Sequence, residues 1–224
     1  METVFHGSEH IINTPEFGKG NLNNDYGRGF YCTKSNELAK EWACKNGKDG
    51  YANEYRIDLS ELNVINLNRD PYNILNWLAV LTRHRTYWEN GSISMNAKEY
   101  LQANFYVDIS KYDIVIGYRA DDSYFTFAKD FVSGAISLQK LKRAMHLGKL
   151  GEQIVLISSR AFEGLMFCGY EEASADIYYS RKTERDINAR LAYRKDKADR
   201  SYINELFMID IMREGIVNGD SRLQ

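Results

Sequence analysis

The stretch that most limits the fold is Asp25-Tyr26-Gly27-Arg28-Gly29-Phe30-Tyr31-Cys32-Thr33. Two glycines two residues apart invite comparison with a dinucleotide fingerprint, but that motif needs a third glycine and a helix opening under the pyrophosphate. Here the glycines run into Phe30-Tyr31-Cys32-Thr33, which is strand composition. A doubly wound sheet built on this turn is therefore not expected. A Gly-rich loop ending in Lys-Ser/Thr is also missing from the sequence.

The rest of the chain reads as short strands interrupted by helices. Thr3–His6 suits a first strand, and the Gly/Asn-rich segment 7–24 a loop or broken helix. Phe30–Thr33 suits a second strand, and Ser35 caps a helix to about Lys45. Tyr51–Leu59 alternates, with Tyr55, Ile57 and Leu59 on one face. Val64–Leu67 is a further strand, and Ile74, Leu75, Leu78 and Leu81 give helix spacing over 72–85. Residues 96–106 favour helix. Tyr112–Tyr118 is almost wholly apolar and belongs in the middle of a sheet. Helices over Asp122–Val132 and Ser137–Leu147, a strand over Gln153–Ser158, and helix from about Ala175 complete the pattern. Strands without regular βαβ alternation indicate α+β.

At 224 residues the chain suits one domain with an appended helical region. A formal net charge of -2 does not indicate a strongly basic nucleic-acid binder, though a local basic face is compatible with it. Three cysteines, Cys32, Cys44 and Cys168, lack metal or redox spacing and read as reduced thiols in a cytoplasmic protein. A polar start and the lack of a ~20-residue apolar run give the expectation of no signal peptide and no membrane partner.

Phe5-His6-Gly7-Ser8, Asp25–Tyr31 and Ala39-Lys40-Glu41-Trp42-Ala43 together resemble the ADP-ribosyltransferase superfamily. The match extends through Tyr112–Gly117, Ala120-Asp121-Asp122 and Leu150-Gly151-Glu152-Gln153-Ile154. The chain is most similar to a bacterial family of uncharacterised domains in its His-Tyr-Glu branch. The resemblance implies two small packed sheets with flanking helices over 1–170, and a C-terminal helical extension over 171–224 packed on the same domain. It implies NAD as co-substrate, no metal, and mono-ADP-ribosyl transfer to a protein or nucleic-acid acceptor with release of nicotinamide.

On that resemblance His6 bonds the ribose, Gly7 offers its backbone to the carboxamide, and Tyr31 stacks on the nicotinamide ring. Ser8, Gly27, Arg28, Gly29 and Phe30 complete the cofactor-binding set. The branch places a glutamate at the start of a late strand. Gln153 stands there instead, with Glu152 one residue before it. An amide bonds a hydroxyl but supplies no full negative charge. A catalytically inactive binding module therefore stays open beside the transferase.

Each candidate also has a plainer reading. His6 alone is a satisfied strand histidine, Tyr31 a buried strand tyrosine, Asp25 a turn-bonding aspartate and Arg28 a solvated loop cation. Asp121 and Asp122 suit a helix start or acceptor activation. Lys140–Arg143 and the charged run Arg181–Arg200 suit solvated helix faces or a docking surface. An RNA 2′-phosphotransferase shares the fold but needs several basic residues around a phosphate, and the first half displays no such set. A toxin with an antitoxin or regulatory partner, a phage-defence component and a delivered effector all fit this reading.

Overall fold

An apolar strand needs neighbours on both sides, and Ile114–Gly117 has them. In the computed structural model, which describes residues 1–85, 91–120, 122–199 and 205–223, it forms β5 of a four-stranded sheet. With β2 (Phe30–Cys32), β4 (Val64–Asn66) and β6 (Gln153–Leu156), the order is β2-β6-β5-β4, parallel only between β4 and β5. A second, antiparallel sheet has the order β1-β3-β7, from β1 (Glu2–Ser8), β3 (Gly50–Ile57) and β7 (Leu165–Ala173). The protein is thus α+β, with two small sheets.

Strand alternation divides the core in two. Val4, Tyr55 and Ile57 of one sheet meet Phe30, Cys32, Ile114, Ile154 and Leu156 of the other. The opposite face of the four-stranded sheet, with Ile65, Val115 and Val155, is covered by helices. Chief among these is α2 (Ile74–His84), buried continuously from Ile74 to Thr82, as a helix apolar on every side must be. An Asn73–Asn76 capping box starts it. Beside it lie α3 (Ser92–Asn104), α4 (Asp122–Val132) and α5 (Leu138–Ala144).

Helix α1 (Asn36–Ala43) begins where expected: Ser35 Oγ accepts from Leu38 N–H at 3.2 Å. It lies on β1 so closely that a Cβ on Gly7 would sit 2.0 Å from the Ala39 carbonyl oxygen. Only glycine permits that approach.

Two elements were not anticipated, the short α6 (Ser159–Glu163) and β7. The division expected at 170/171 falls inside β7, and helix begins at Ala175 with α7 (Ala175–Ala198), followed by α8 (Met208–Arg213). Helix α7 buries only Ala175, Ala189 and Tyr193. Ion pairs hold it: Arg185 with Glu41, Arg181 with Glu37 and Lys197 with Asp130. Charge pairing is what the run from Arg181 led one to expect; Arg200 itself lies outside the described residues, as does Asp121. Among the described residues no helix is long and apolar enough to cross a membrane.

Candidate active site

Besides their packed faces, β1 and β2 are joined by one backbone bridge and then part. Phe5 and Thr33 exchange backbone hydrogen bonds at 2.8 and 2.9 Å. Backbone groups alternate along a strand, so Gly7, two residues past Phe5, aims its N–H and C=O toward the same edge. There β1 and β2 have already diverged, and the imidazole of His6 spans the gap. Its Nδ1–H donates to the Tyr31 carbonyl at 2.7 Å, and its ring stacks on Phe30 at 4.2 Å.

A cavity of about 500 Å³ opens at this fork. That lies within the ~300–1,000 Å³ typical of small-molecule sites. Of the residues singled out in the sequence, His6, Gly7, Gly29, Phe30, Tyr31 and Gln153 line it. Residues from three separate stretches of chain, at β1, β2 and β6, therefore face one space.

The hydrogen bond to Tyr31 fixes the neutral tautomer of His6, leaving Nε2 as an acceptor. Burial chiefly, with the Lys45 charge helping and the bond to Tyr31 pulling the other way, brings this imidazole down to about 4. Unfolded, His6 titrates near 6.5. Between these values the unfolded chain binds the extra proton, so stability is full above about 6.5 and falls as pH drops toward 4. The expected loss is up to about 3 kcal/mol. Urea titrations at several pH values should show this drop in the wild type and not in His6→Ala; parallel profiles would refute it.

Tyr31 is held by its phenol, which donates to the Gly27 carbonyl at 2.6 Å and accepts from Tyr26 N–H at 3.1 Å. Burial pushes its ionisation well up, so it stays a neutral phenol. The ring thereby pins the turn before β2. Gly27 takes φ +75° there, and a Cβ would strike the His84 ring, 2.7 Å from Nδ1. Its role is to let the turn form, and it does not line the cavity. Arg28 is exposed and also lies off the cavity.

Gln153 is 5% exposed, and its Oε1 is buried without a hydrogen-bond partner among the described residues. An orphaned polar atom in a cavity wall is costly unless a ligand group meets it. Glu152 points to the other side of β6, where it accepts from Asn66 and Asn68 Nδ2, both at 3.3 Å. Strand alternation separates the two, and Glu152 does not line the cavity. Ser8 does not line it either: its hydroxyl bonds His10 in the loop beyond β1 and Asn53 of β3.

Other cavity residues escaped the sequence reading, and Asp25, expected to bond its own turn, reaches further instead. Its Oδ1 accepts from Arg85 Nε and Nη2 at 3.0 and 2.6 Å, and its Oδ2 from Ala120 N–H at 2.8 Å. Burial raises this carboxyl, and Arg85 with the Ala120 N–H pulls it back down. Arg119 lays its guanidinium 3.4 Å from the centre of the Trp42 ring. The Nε1 of Trp42 is buried without a partner among the described residues. With Lys19, Lys45 and Lys182 these make a basic wall that no local stretch displayed. Among the described residues no group of three His, Cys, Asp or Glu is placed to hold a metal ion.

A family described as "Protein of unknown function (DUF3990)" matches residues 2–167. The chain belongs to that family. Neither a curated protein nor a solved structure matches it. The DUF3990 segment takes in both strands of the fork, helix α1 and Gln153, and stops before α7.

Proposed function

We propose that this DUF3990 protein is an NAD-dependent mono-ADP-ribosyltransferase that modifies a protein or nucleic-acid acceptor and releases nicotinamide. The observation that carries the reading is the fork: an open strand edge at Gly7, an oriented neutral imidazole at His6 and the fixed ring of Tyr31, all beside the orphaned amide of Gln153. An open strand edge offers paired donor and acceptor groups that match a carboxamide. His6 Nε2 is set to accept from a ribose hydroxyl, and the Tyr31 ring gives a flat face for a pyridine.

NAD supplies an activated ribose whose bond to nicotinamide breaks, the bonding electrons leaving with the nicotinamide nitrogen. The acceptor nucleophile then bonds to that ribose carbon and loses its proton. The protein's part is to orient the sugar and keep water away. Gln153 bonds a hydroxyl without adding negative charge, and Asp25 does not replace that charge because Arg85 neutralises it. Single transfer is the expected product. The same two facts favour the second reading, a binding module that keeps the cavity without turnover.

Incubation with NAD labelled in the adenylate, plus protein, RNA and DNA acceptors, tests the proposal. Labelled acceptor and free nicotinamide are expected, both lost in His6→Ala and reduced in Tyr31→Phe, which keeps the ring. Binding of a partner without nicotinamide release across all acceptors would overturn the transferase in favour of the module.

A further inference from the structure

The sign of the cavity wall is opposite to that of the chain. The whole protein carries -2, yet five cations and two carboxylates line the cavity. Both carboxylates are engaged: Glu16 with Lys19 at 2.7 Å, Asp25 with Arg85 at 2.6 Å. Lys45, just past α1, and Lys182, on α7, have no carboxylate within 4.0 Å among the described residues. Arg119 presents its guanidinium against the Trp42 ring. Gathering like charges around one opening is unfavourable unless an anion joins them.

Lys182 is held in place from both sides. Arg181 pairs with Glu37 and Arg185 with Glu41, so two salt bridges bind α7 to α1 around it. These pairs fix the distance between Lys182 and the two α1-side residues, Trp42 and Lys45. Helix α7 lies outside the DUF3990 segment, yet it contributes a cation to the cavity.

We propose that Lys45, Arg119 and Lys182 form a diphosphate subsite, and that α7 is thereby a part of the ligand site that the family segment alone does not contain. Two lysines supply point charges and the arginine a planar fork, a set suited to a ligand carrying two linked phosphates. The ligand class is a nucleoside diphosphate, and the inference rests on the transferase reading in placing the diphosphate of NAD there. Phosphates of a nucleic-acid acceptor share the chemistry, so the test separates the two.

Calorimetry of the full chain with ADP, AMP, nicotinamide and a short single-stranded RNA is the experiment, on wild type, Lys182→Ala and Lys45→Ala. Loss of one charge-assisted contact predicts ADP binding weakened about 10-fold in each variant, AMP weakened less, and nicotinamide unchanged. Glu37→Ala with Glu41→Ala should weaken ADP too, by loosening the N-terminal part of α7 from α1. Unchanged ADP affinity in Lys182→Ala overturns the subsite, as does a loss confined to the RNA. The two proposals fail separately. Lys182-dependent ADP binding without nicotinamide release sinks the transferase and leaves the subsite standing. Nicotinamide release with ADP binding indifferent to Lys182 does the reverse.

Discussion

Asp25→Ala is expected to lower stability by about 3 kcal/mol and to release Arg85 from its place in the cavity wall. Removing one member of a buried ion pair strands the other, which costs ~3–5 kcal/mol. The lower end applies because Arg85 is 25% exposed on its side chain and faces the cavity. The loss reaches beyond the pair. Asp25 also accepts from the Ala120 N–H, so it ties the turn before β2 to the segment after β5 and sets where Arg119 and Arg85 stand. Asp25→Asn retains one acceptor for Ala120 and should recover part of the stability, without the charge that orients Arg85. Urea midpoints read the first effect and ADP affinity the second. A shift below about 1 kcal/mol in Asp25→Ala, the size of an exposed pair, would show that the carboxylate organises nothing.

Gly7→Ala is expected to be as damaging, for a reason with no charge in it. The added Cβ would lie 2.0 Å from the Ala39 carbonyl oxygen and 2.8 Å from the Ala43 backbone nitrogen. Both atoms belong to the backbone of α1, so no side-chain rotation relieves the contact, and the helix must move off β1. Overpacking costs ~1–3 kcal/mol, and the rigid contact places this case at about 3. Moving α1 also displaces Trp42 and the anchors of α7, Glu37 and Glu41. Nicotinamide and ADP binding should therefore fall together in Gly7→Ala, whereas Lys182→Ala weakens ADP and leaves nicotinamide unchanged. Calorimetry on the folded variant and its thermal midpoint check this, and wild-type values in both would refute the close approach.

Much of the local structure was legible in the chain, and the reasons are local. The Ser35 cap, the all-apolar β5 and the helix Asp122–Val132 each depend on residues within a turn or two of one another. Strand β7 was not legible. Met166, Cys168 and Tyr170 are exposed although apolar, so Leu165–Ala173 has no clean two-residue alternation, and Gly169 breaks the run with φ +146°. The candidate site was legible in part. His6, Gly7, Tyr31 and Gln153 do share a cavity, whereas Glu152, Ser8, Gly27 and Arg28 lie off it. Choosing Gln153 over Glu152 followed from strand alternation once β6 was in place.

Arg85, Arg119 and Lys45 gave no signal, since charged residues near element ends are ordinary, and Lys182 stood out only as one of the charged run Arg181–Arg200, with nothing nearby to mark it as inward-facing. Periodicity, capping and turn chemistry act between near neighbours, so most of the strands and helices and the α+β class could be read from the chain alone, β7 and α6 excepted. Burial and charge act between residues far apart in the chain. Only the tertiary structure could pair Asp25 with Arg85, seat α1 on Gly7 and bring Lys182 of α7 to the same cavity as His6.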